Sequence, residues 1–322
     1  MSKELLTYIV FGAVLILALA FDLGLLSKKN KEVTIKKAMQ QTIFWVALAL
    51  AFFVFVWVED GKQPALEYIS AYLMEWSLSI DNIFVFILIF TSFSVKKAYS
   101  SRVLLIGILM AIVFRIVFIT VGVALVQRFE WVLYIFGVFL LYTGYKMFTS
   151  DEDDKFDPET SKAYKFVKKI FPLTMSDGGG KFWIKENGKR LYTSLFVVVM
   201  MLASIDLVFA LDSIPAVMGI SRDKMVIYTS NIFAVLGLRS LFFLLRGAVN
   251  KFEYLQQGIA IVLIFIGAKM LAAHWFDEWF PTNTQVFISL GVIIICITTS
   301  ILVSIAKNKR RQKNENTSRV IN

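Results

Sequence analysis

Two stretches of the chain place acids inside otherwise apolar sequence at one spacing. Residues 75–83 read Glu75-Trp-Ser-Leu-Ser-Ile-Asp81-Asn82-Ile83, and residues 206–214 read Asp206-Leu-Val-Phe-Ala-Leu-Asp212-Ser213-Ile214. Acid, five residues, acid, amide or hydroxyl, isoleucine therefore recurs at an offset of 131 residues. An arginine follows each stretch within an apolar run, Arg115 after the first and Arg239 after the second. Four carboxylates and two guanidiniums leave a formal charge of −2 when all are ionised. One divalent cation or two bound protons would cancel it, so the arithmetic permits metal binding and proton exchange equally. His274 is the single histidine and Cys296 the single cysteine. A metal site here must be built from oxygen, which suits Mg, Ca or Mn better than Zn or Cu. Ser77, Ser79, Asn82, Ser204, Ser213 and Asn231 are further oxygen donors nearby; with water they supply the roughly six that a hard ion such as Mn²⁺ takes. Each hydroxyl by itself more often bonds its own backbone or a neighbouring helix.

An ionisable group at the centre of a membrane helix costs ~2.5–3.5 kcal/mol on insertion scales, so six unpaired ones would cost on the order of 15–20 kcal/mol. They must pair, neutralise or face a polar cavity. Salt bridges serving only packing are the plain alternative, and the residual −2 weighs against it. Residues six apart on an ideal helix differ by about 240° and ~9 Å of rise. Glu75 and Asp81 then share no face, whereas Glu75, Ser79 and Asn82 do, as do Asp206 and Ser213. Two arrangements satisfy this. One is a single site around broken helices, with Pro215 a candidate interruption. The other is two acidic layers on antiparallel spans, Glu75 near Asp212 and Asp81 near Asp206.

These residues need a bilayer around them. The chain is 57% hydrophobic with a mean hydropathy of +0.68, well outside the range of soluble domains. A membrane span takes ~20 mainly apolar residues, and nine such runs lie near 5–26, 40–58, 66–93, 103–127, 131–149, 192–218, 226–248, 255–274 and 284–306. The expected fold is an all-α polytopic membrane protein with a transporter domain over 1–306 and a basic tail over 307–322. Lys28 to Lys37, Lys96, Lys97, Arg102, the 150–191 loop, Arg246, Lys251 and the tail put the positive charge on one side. By the positive-inside bias this gives N-out, C-in. The net charge of +10 is thus a topology signal, and no nucleic-acid partner is expected. The 150–191 loop opens with Asp151, Glu152, Asp153 and Asp154, turns basic, holds Gly178-Gly179-Gly180, and reads as a hinge-like cytoplasmic loop. The tail is expected to be disordered near anionic headgroups. Lys146 and Lys269 lie near span ends and read as snorkelling side chains.

The acidic stretches belong to a longer repeat. Arg115 matches Arg239, and Gly144-Tyr145-Lys146-Met147 matches Gly267-Ala268-Lys269-Met270. Spans three to five, about 66–149, thus repeat as spans six to eight, about 192–274, and the two triplets start in opposite senses. An inverted repeat of this kind is common among secondary transporters and places substrate near the midplane.

At EWSLSIDNIFVF (75–86), KFWIKENGKRLYTSLF (181–196), DLVFALDSIPAV (206–217), SNIFAVLGLRSLFFLL (230–245) and FIGAKML (265–271) the chain resembles the TerC family. That family is named for tellurium resistance, and its better-understood members are bacterial Mn²⁺ exporters related to the LysE transporter superfamily. The resemblance covers roughly 40–306. It implies a bacterial inner-membrane transporter rather than an enzyme, with Mn²⁺ as cargo, no cofactor, and the lipid bilayer as its surroundings. It further implies that Glu75, Asp81, Asn82, Asp206 and Asp212 form the acidic metal-handling motifs, with Asn231 and Arg239 in a third motif. Many relatives carry a glutamate three residues before the first aspartate of the second motif, where this chain has Ala203. A membrane scaffold in tellurite or metal stress is the alternative. An intramembrane aspartyl protease fits poorly, since Gly-x-Gly-Asp does not occur.

Overall fold

The computed structural model describes residues 3–26, 33–149, 162–174, 176–186, 188–246 and 254–321; the side chain of Asp81, like those of its neighbours Ile80 and Phe84, lies outside the described residues. The chain is a mostly helical polytopic membrane protein. Its elements are α1 (Lys3–Leu26), α2 (Ile35–Glu59), α3 (Lys62–Ser92), α4 (Lys97–Arg128), α5 (Val132–Thr149), α6 (Lys162–Ile170), β1 (Trp183–Glu186), β2 (Lys189–Tyr192), α7 (Ser194–Met218), α8 (Lys224–Leu245), α9 (Leu255–Leu271), α10 (Ala273–Trp279) and α11 (Thr282–Ile321). Every apolar run in the sequence is helical. Among the described residues six helices are long and apolar enough to cross a membrane, namely α2, α4, α5, α7, α8 and the Thr284–Lys307 part of α11. Shorter apolar helices cover Leu6–Ala20 and Leu255–Leu271. At 31 residues α3 is long enough, but it carries Lys62, Glu67, Glu75 and Asp81.

Local chemistry sets the helix ends. Thr34 accepts a bond from the Lys37 amide at 3.3 Å and Asp223 one from the Met225 amide at 2.7 Å, each satisfying an orphan donor of a first turn. Gly61 precedes α3 with φ 100°, and Pro64 sits in its first turn, where no amide donor is needed. Helix α7 runs unbroken past Asp206 and Asp212. Pro215 is in its last turn, with the Gly219 amide bonding the Pro215 carbonyl. The expected interruption is therefore absent, because a proline this near the end removes one amide from an almost finished helix. The basic tail also departs from expectation, continuing α11 as helix to Ile321. Lysine, arginine, glutamine and glutamate have good helix propensity, and no glycine or proline follows Gly291.

Helices pair across the two repeated triplets. Helix α3 packs on α8, α4 on α7, and α5 on α9. A Cβ at Gly107 would meet Leu202 and one at Gly122 would meet Met218, so α4 and α7 run in one direction. Helix α3 joins α4 through a short turn and runs against both. The α5–α9 seam is antiparallel and closest of all. A Cβ at Gly144 would lie 2.8 Å from the Ala260 carbonyl oxygen, and one at Gly267 would lie 2.7 Å from that of Gly137. The repeated glycines are thus the points where two backbones touch, as small residues allow in membrane bundles.

From residue 162 onward, the segment read as a hinge-like loop is a folded module. Trp183 pairs with Tyr192 and Glu186 with Lys189 in an antiparallel hairpin, closed at Gly188 with φ 75°. Gly180, at φ 89°, lies so close to α4 that a Cβ would sit 2.6 Å from the Tyr99 ring. Arg102 lies 4.8 Å over the Phe182 ring and donates to the Gly180 carbonyl at 3.4 Å. Lys96 bonds Asp177 at 2.5 Å; that hydrogen bond holds Asp177 below the ordinary aspartate range and raises Lys96.

Two outcomes are expected. Gly144→Val and Gly267→Val each destabilise the detergent-solubilised protein by ~1–3 kcal/mol through overpacking, while Gly291→Val, with nothing within 4 Å of its Cβ, leaves thermal unfolding unchanged. Because the Asp177 pKa is depressed in the fold, its contribution is present above the unfolded aspartate pKa and is lost as pH falls through the folded value. The amide protection factors of 178–186 and 188–192, taken against the intrinsic exchange rate at each pH, are therefore expected to fall on acidification below the usual aspartate range, and Asp177→Asn to remove that fall.

Candidate functional site

Arg115 is 1% exposed and is the largest fully buried side chain described. It emerges from the middle of α4 and ties together three other helices. Its Nε and Nη2 donate side-on to Asp206 of α7 at 2.9 and 3.0 Å. Its Nη1 bonds Glu75 of α3, Asn231 Oδ1 of α8 at 3.1 Å, and Ser213 Oγ of α7 at 3.5 Å. Asn231 is held in this orientation from behind, since its Nδ2 donates to the Ile227 carbonyl at 3.0 Å; the amide oxygen is left to accept. Glu75, Asp206 and Asn231 are each at most 1% exposed.

Local sequence explains why these side chains converge. Asp206 and Ser213 are seven apart on α7, two turns on one face, and both reach Arg115. Glu75 and Ser79 are one turn apart on α3. One half of this group is incomplete: Glu75 Oε2 and Ser79 Oγ are buried with no hydrogen-bond partner among the described residues. A buried unpaired carboxylate oxygen is costly. With both acids ionised, Arg115, Glu75 and Asp206 carry a formal −1.

Asp212 and Asn82 lie elsewhere. They line a cavity of about 230 Å³ with Leu78, Thr143, Lys146 and Gln256. Asp212 accepts a bond from Thr143 Oγ1 at 3.2 Å. Lys146, read from sequence as snorkelling, faces this cavity. Its repeat partner Lys269 lines a second cavity, of about 550 Å³, with Glu67, Ser221, Asp223 and Gln285. Lys269 donates to the Gly219 carbonyl and Ser289 Oγ, and Glu67 accepts from Ser221 Oγ at 2.5 Å and Gln63 at 3.0 Å. Since α5 and α9 are antiparallel, the two lysines mark opposite ends of the bundle.

Of the sequence-derived residues, Glu75, Asp206, Asn231 and Arg115 thus meet in one cluster, and Asn82 and Asp212 share a neighbouring cavity. Asp81 is on α3 with its side chain outside the described residues. Arg239 is buried on α8, two turns beyond Asn231. Among the described residues no three histidine, cysteine, aspartate or glutamate side chains form a group that would hold a metal. Thr143, Gln256 and Glu67 were not singled out from sequence. Glu67 was readable, as an acid just inside the third run; the other two carry no signal until the helices are packed.

The family model for the integral membrane protein TerC family matches residues 60–313. An uncharacterized membrane protein of Myxococcus xanthus is 41% identical over 299 residues, 93% of this chain and 92% of its own. The thylakoid membrane protein TERC, chloroplastic, of Arabidopsis thaliana is 39% identical over 88% of this chain and 72% of its own. A Salmonella typhi protein named putative membrane-bound redox modulator Alx is 36% identical over 94% of this chain and 95% of its own. No solved structure matches.

Removing one member of a buried charge group leaves the others uncompensated, at ~3–5 kcal/mol. Arg115→Met is expected to lose that much in denaturant unfolding in detergent, and Arg115→Lys to lose part of it, since an ammonium lacks the side-on fork that Asp206 accepts. Adding Glu75→Gln and Asp206→Asn to Arg115→Met restores stability.

Proposed function

The chain belongs to the TerC family of integral membrane proteins, and from that premise and its buried acids we propose that it is a secondary transporter exporting a divalent metal, Mn²⁺ first. Spans three to five and six to eight act as an inverted repeat in an N-out, C-in bacterial inner membrane. The observation that carries the reading is the pairing of a buried acid cluster, one oxygen of which is unsatisfied, with a polar cavity beside it. Asp212 and Asn82 in that cavity receive the ion, and Asp81 joins them. Glu75 and Asp206 complete the oxygen shell or carry protons. Arg115 neutralises the empty cluster and gives up its carboxylates when metal enters, and Arg239, buried on α8, is the second counter-charge to the acids. A proton on Glu75 would bring the empty cluster to neutrality, so exchange of metal for protons follows from the same charge count. The Lys146 and Lys269 cavities, at opposite ends, are the two entrances that alternating access requires.

Two other readings are weaker. A redox role, as in the name of the Salmonella typhi relative, meets a single thiol in Cys296, and dithiol exchange needs two. A scaffold leaves the burial of the acids without purpose.

Manganese efflux from loaded vesicles is the test. Asp212→Asn and Asp81→Asn are expected to slow it by at least the ~10–100-fold seen when partners of metal ligands are lost. Export by the double variant at the normal rate would overturn the mechanism. Unchanged metal levels together with lost co-purification of a partner would favour the scaffold. Competition with Mg, Ca, Zn and Co reads out selectivity.

A further inference from the structure

Helix α6 is unlike the spanning helices. Its sequence is KAYKFVKKI, and it packs where α3 ends and α7 begins. The Tyr164 ring is 5.6 Å from that of Phe93 at the end of α3, and α6 closes a 110 Å³ cavity against Ser194 and Val197 at the start of α7. At about 100° per residue its side chains fall into three ridges. Tyr164 and Val167 are buried against the bundle. Phe166 and Ile170 form a second ridge and are 62% and 52% exposed. Lys165 and Lys169 form a third, also exposed. The three directions are roughly 100–150° apart by the same geometry.

A helix with only two environments, protein and water, has no reason to keep a separate apolar ridge in the open. Three ridges match a helix where protein, acyl chains and headgroups meet, the arrangement of interfacial amphipathic helices. The hairpin beside it extends the pattern. Trp183 is 44% exposed and Arg190 lies 3.9 Å over its ring, with Lys181, Lys185 and Lys189 close in sequence. Residues 162–192 hold eight lysines and arginines against two acids, and one of those acids, Asp177, is engaged by Lys96. Anionic headgroups are the complementary partner, since the negative surface potential of such a leaflet attracts basic residues beside it.

We propose that the 162–192 module is a membrane-surface binding site for anionic lipid headgroups, with Phe166 and Ile170 inserted among acyl chains and Lys165, Lys169 and the hairpin basic residues on the headgroup phosphates. The module follows from membrane residence alone and does not depend on what the protein transports.

Spin labels at Phe166→Cys, Ile170→Cys, Lys165→Cys and Lys169→Cys, each with Cys296→Ser, test it in nanodiscs of phosphatidylglycerol with phosphatidylcholine and of phosphatidylcholine alone. At 166 and 170, collisions with oxygen are expected to exceed those with a water-soluble nickel complex several-fold, and the ratio to invert at 165 and 169. The two apolar positions make the result independent of either variant's folding. The immersion should deepen with phosphatidylglycerol, and Lys165→Gln with Lys169→Gln in the Ile170→Cys protein should abolish that dependence. Nickel access at 166 and 170 as high as at 165 would overturn the proposal and point to an aqueous or protein-facing module. Equal immersion in both lipids, or a response to inorganic phosphate matching that to phosphatidylglycerol, would overturn the headgroup assignment. Native mass spectrometry of the unaltered chain, expected to retain phosphatidylglycerol over phosphatidylcholine, decides the same point without substitution.

Discussion

A guanidinium sealed inside a helical bundle is the constraint on which the remaining arrangement rests. Arg115 cannot lose its charge and cannot stay unpaired in a medium of low dielectric. Asp206 satisfies its edge, and Glu75, Asn231 and Ser213 share the outer nitrogen. Those partners come from α3, α7 and α8. The position of one side chain therefore dictates which helices must meet and at what register. Arg115 is satisfied by side chains of α3, α7 and α8, so neither α3 nor α7 has to break to offer it backbone carbonyls.

The pairing of helices follows the same logic. Helix α4, which bears the arginine, lies against α7, which bears its side-on acid, and α3 lies against α8, which bears Asn231. Arg115 holds Glu75 within its own triplet and reaches Asp206, Ser213 and Asn231 across to the other, so the charge group is completed only when the two triplets meet. A chain built this way gains little from either half alone, because each half would expose acids or an arginine to lipid.

Much of this was legible in the residues. The apolar runs located every long helix, and the cost of intramembrane charge required Glu75, Asp206 and Arg115 to find partners; Gly144 and Gly267 were legible as repeat positions, but not as points of close approach until the helices were packed. Other features were not legible, for identifiable reasons. The two arginines look equivalent in sequence, yet Arg115 is the hub of the described cluster, a distinction set by tertiary register. One of the two arrangements open in the sequence put Asp212 near Glu75; instead Asp206 shares Arg115 with Glu75, and Asp212, six residues on and about 240° round α7, accepts from Thr143 and faces a cavity. The hairpin had a readable signal in Asn187-Gly188 between aromatic and branched residues, obscured by the basic composition that made 150–191 look like ordinary loop. Ala203, the position at which the family resemblance leads one to look for a glutamate, is fully buried in α7 one turn before Asp206.

The seam between α5 and α9 has a mechanical meaning. Where glycine lies against carbonyl, Leu140, Ile264 and Leu271 close over the same points, so backbone and side chains pack in one layer with no room for an added methyl group. The helices are antiparallel and carry Lys146 and Lys269 near opposite ends, so a displacement along their shared axis shifts the two cations in equal measure relative to each other. The two cations therefore stand at the two ends of one close-packed seam, whose spacing is fixed by the absence of a side chain at Gly144 and Gly267.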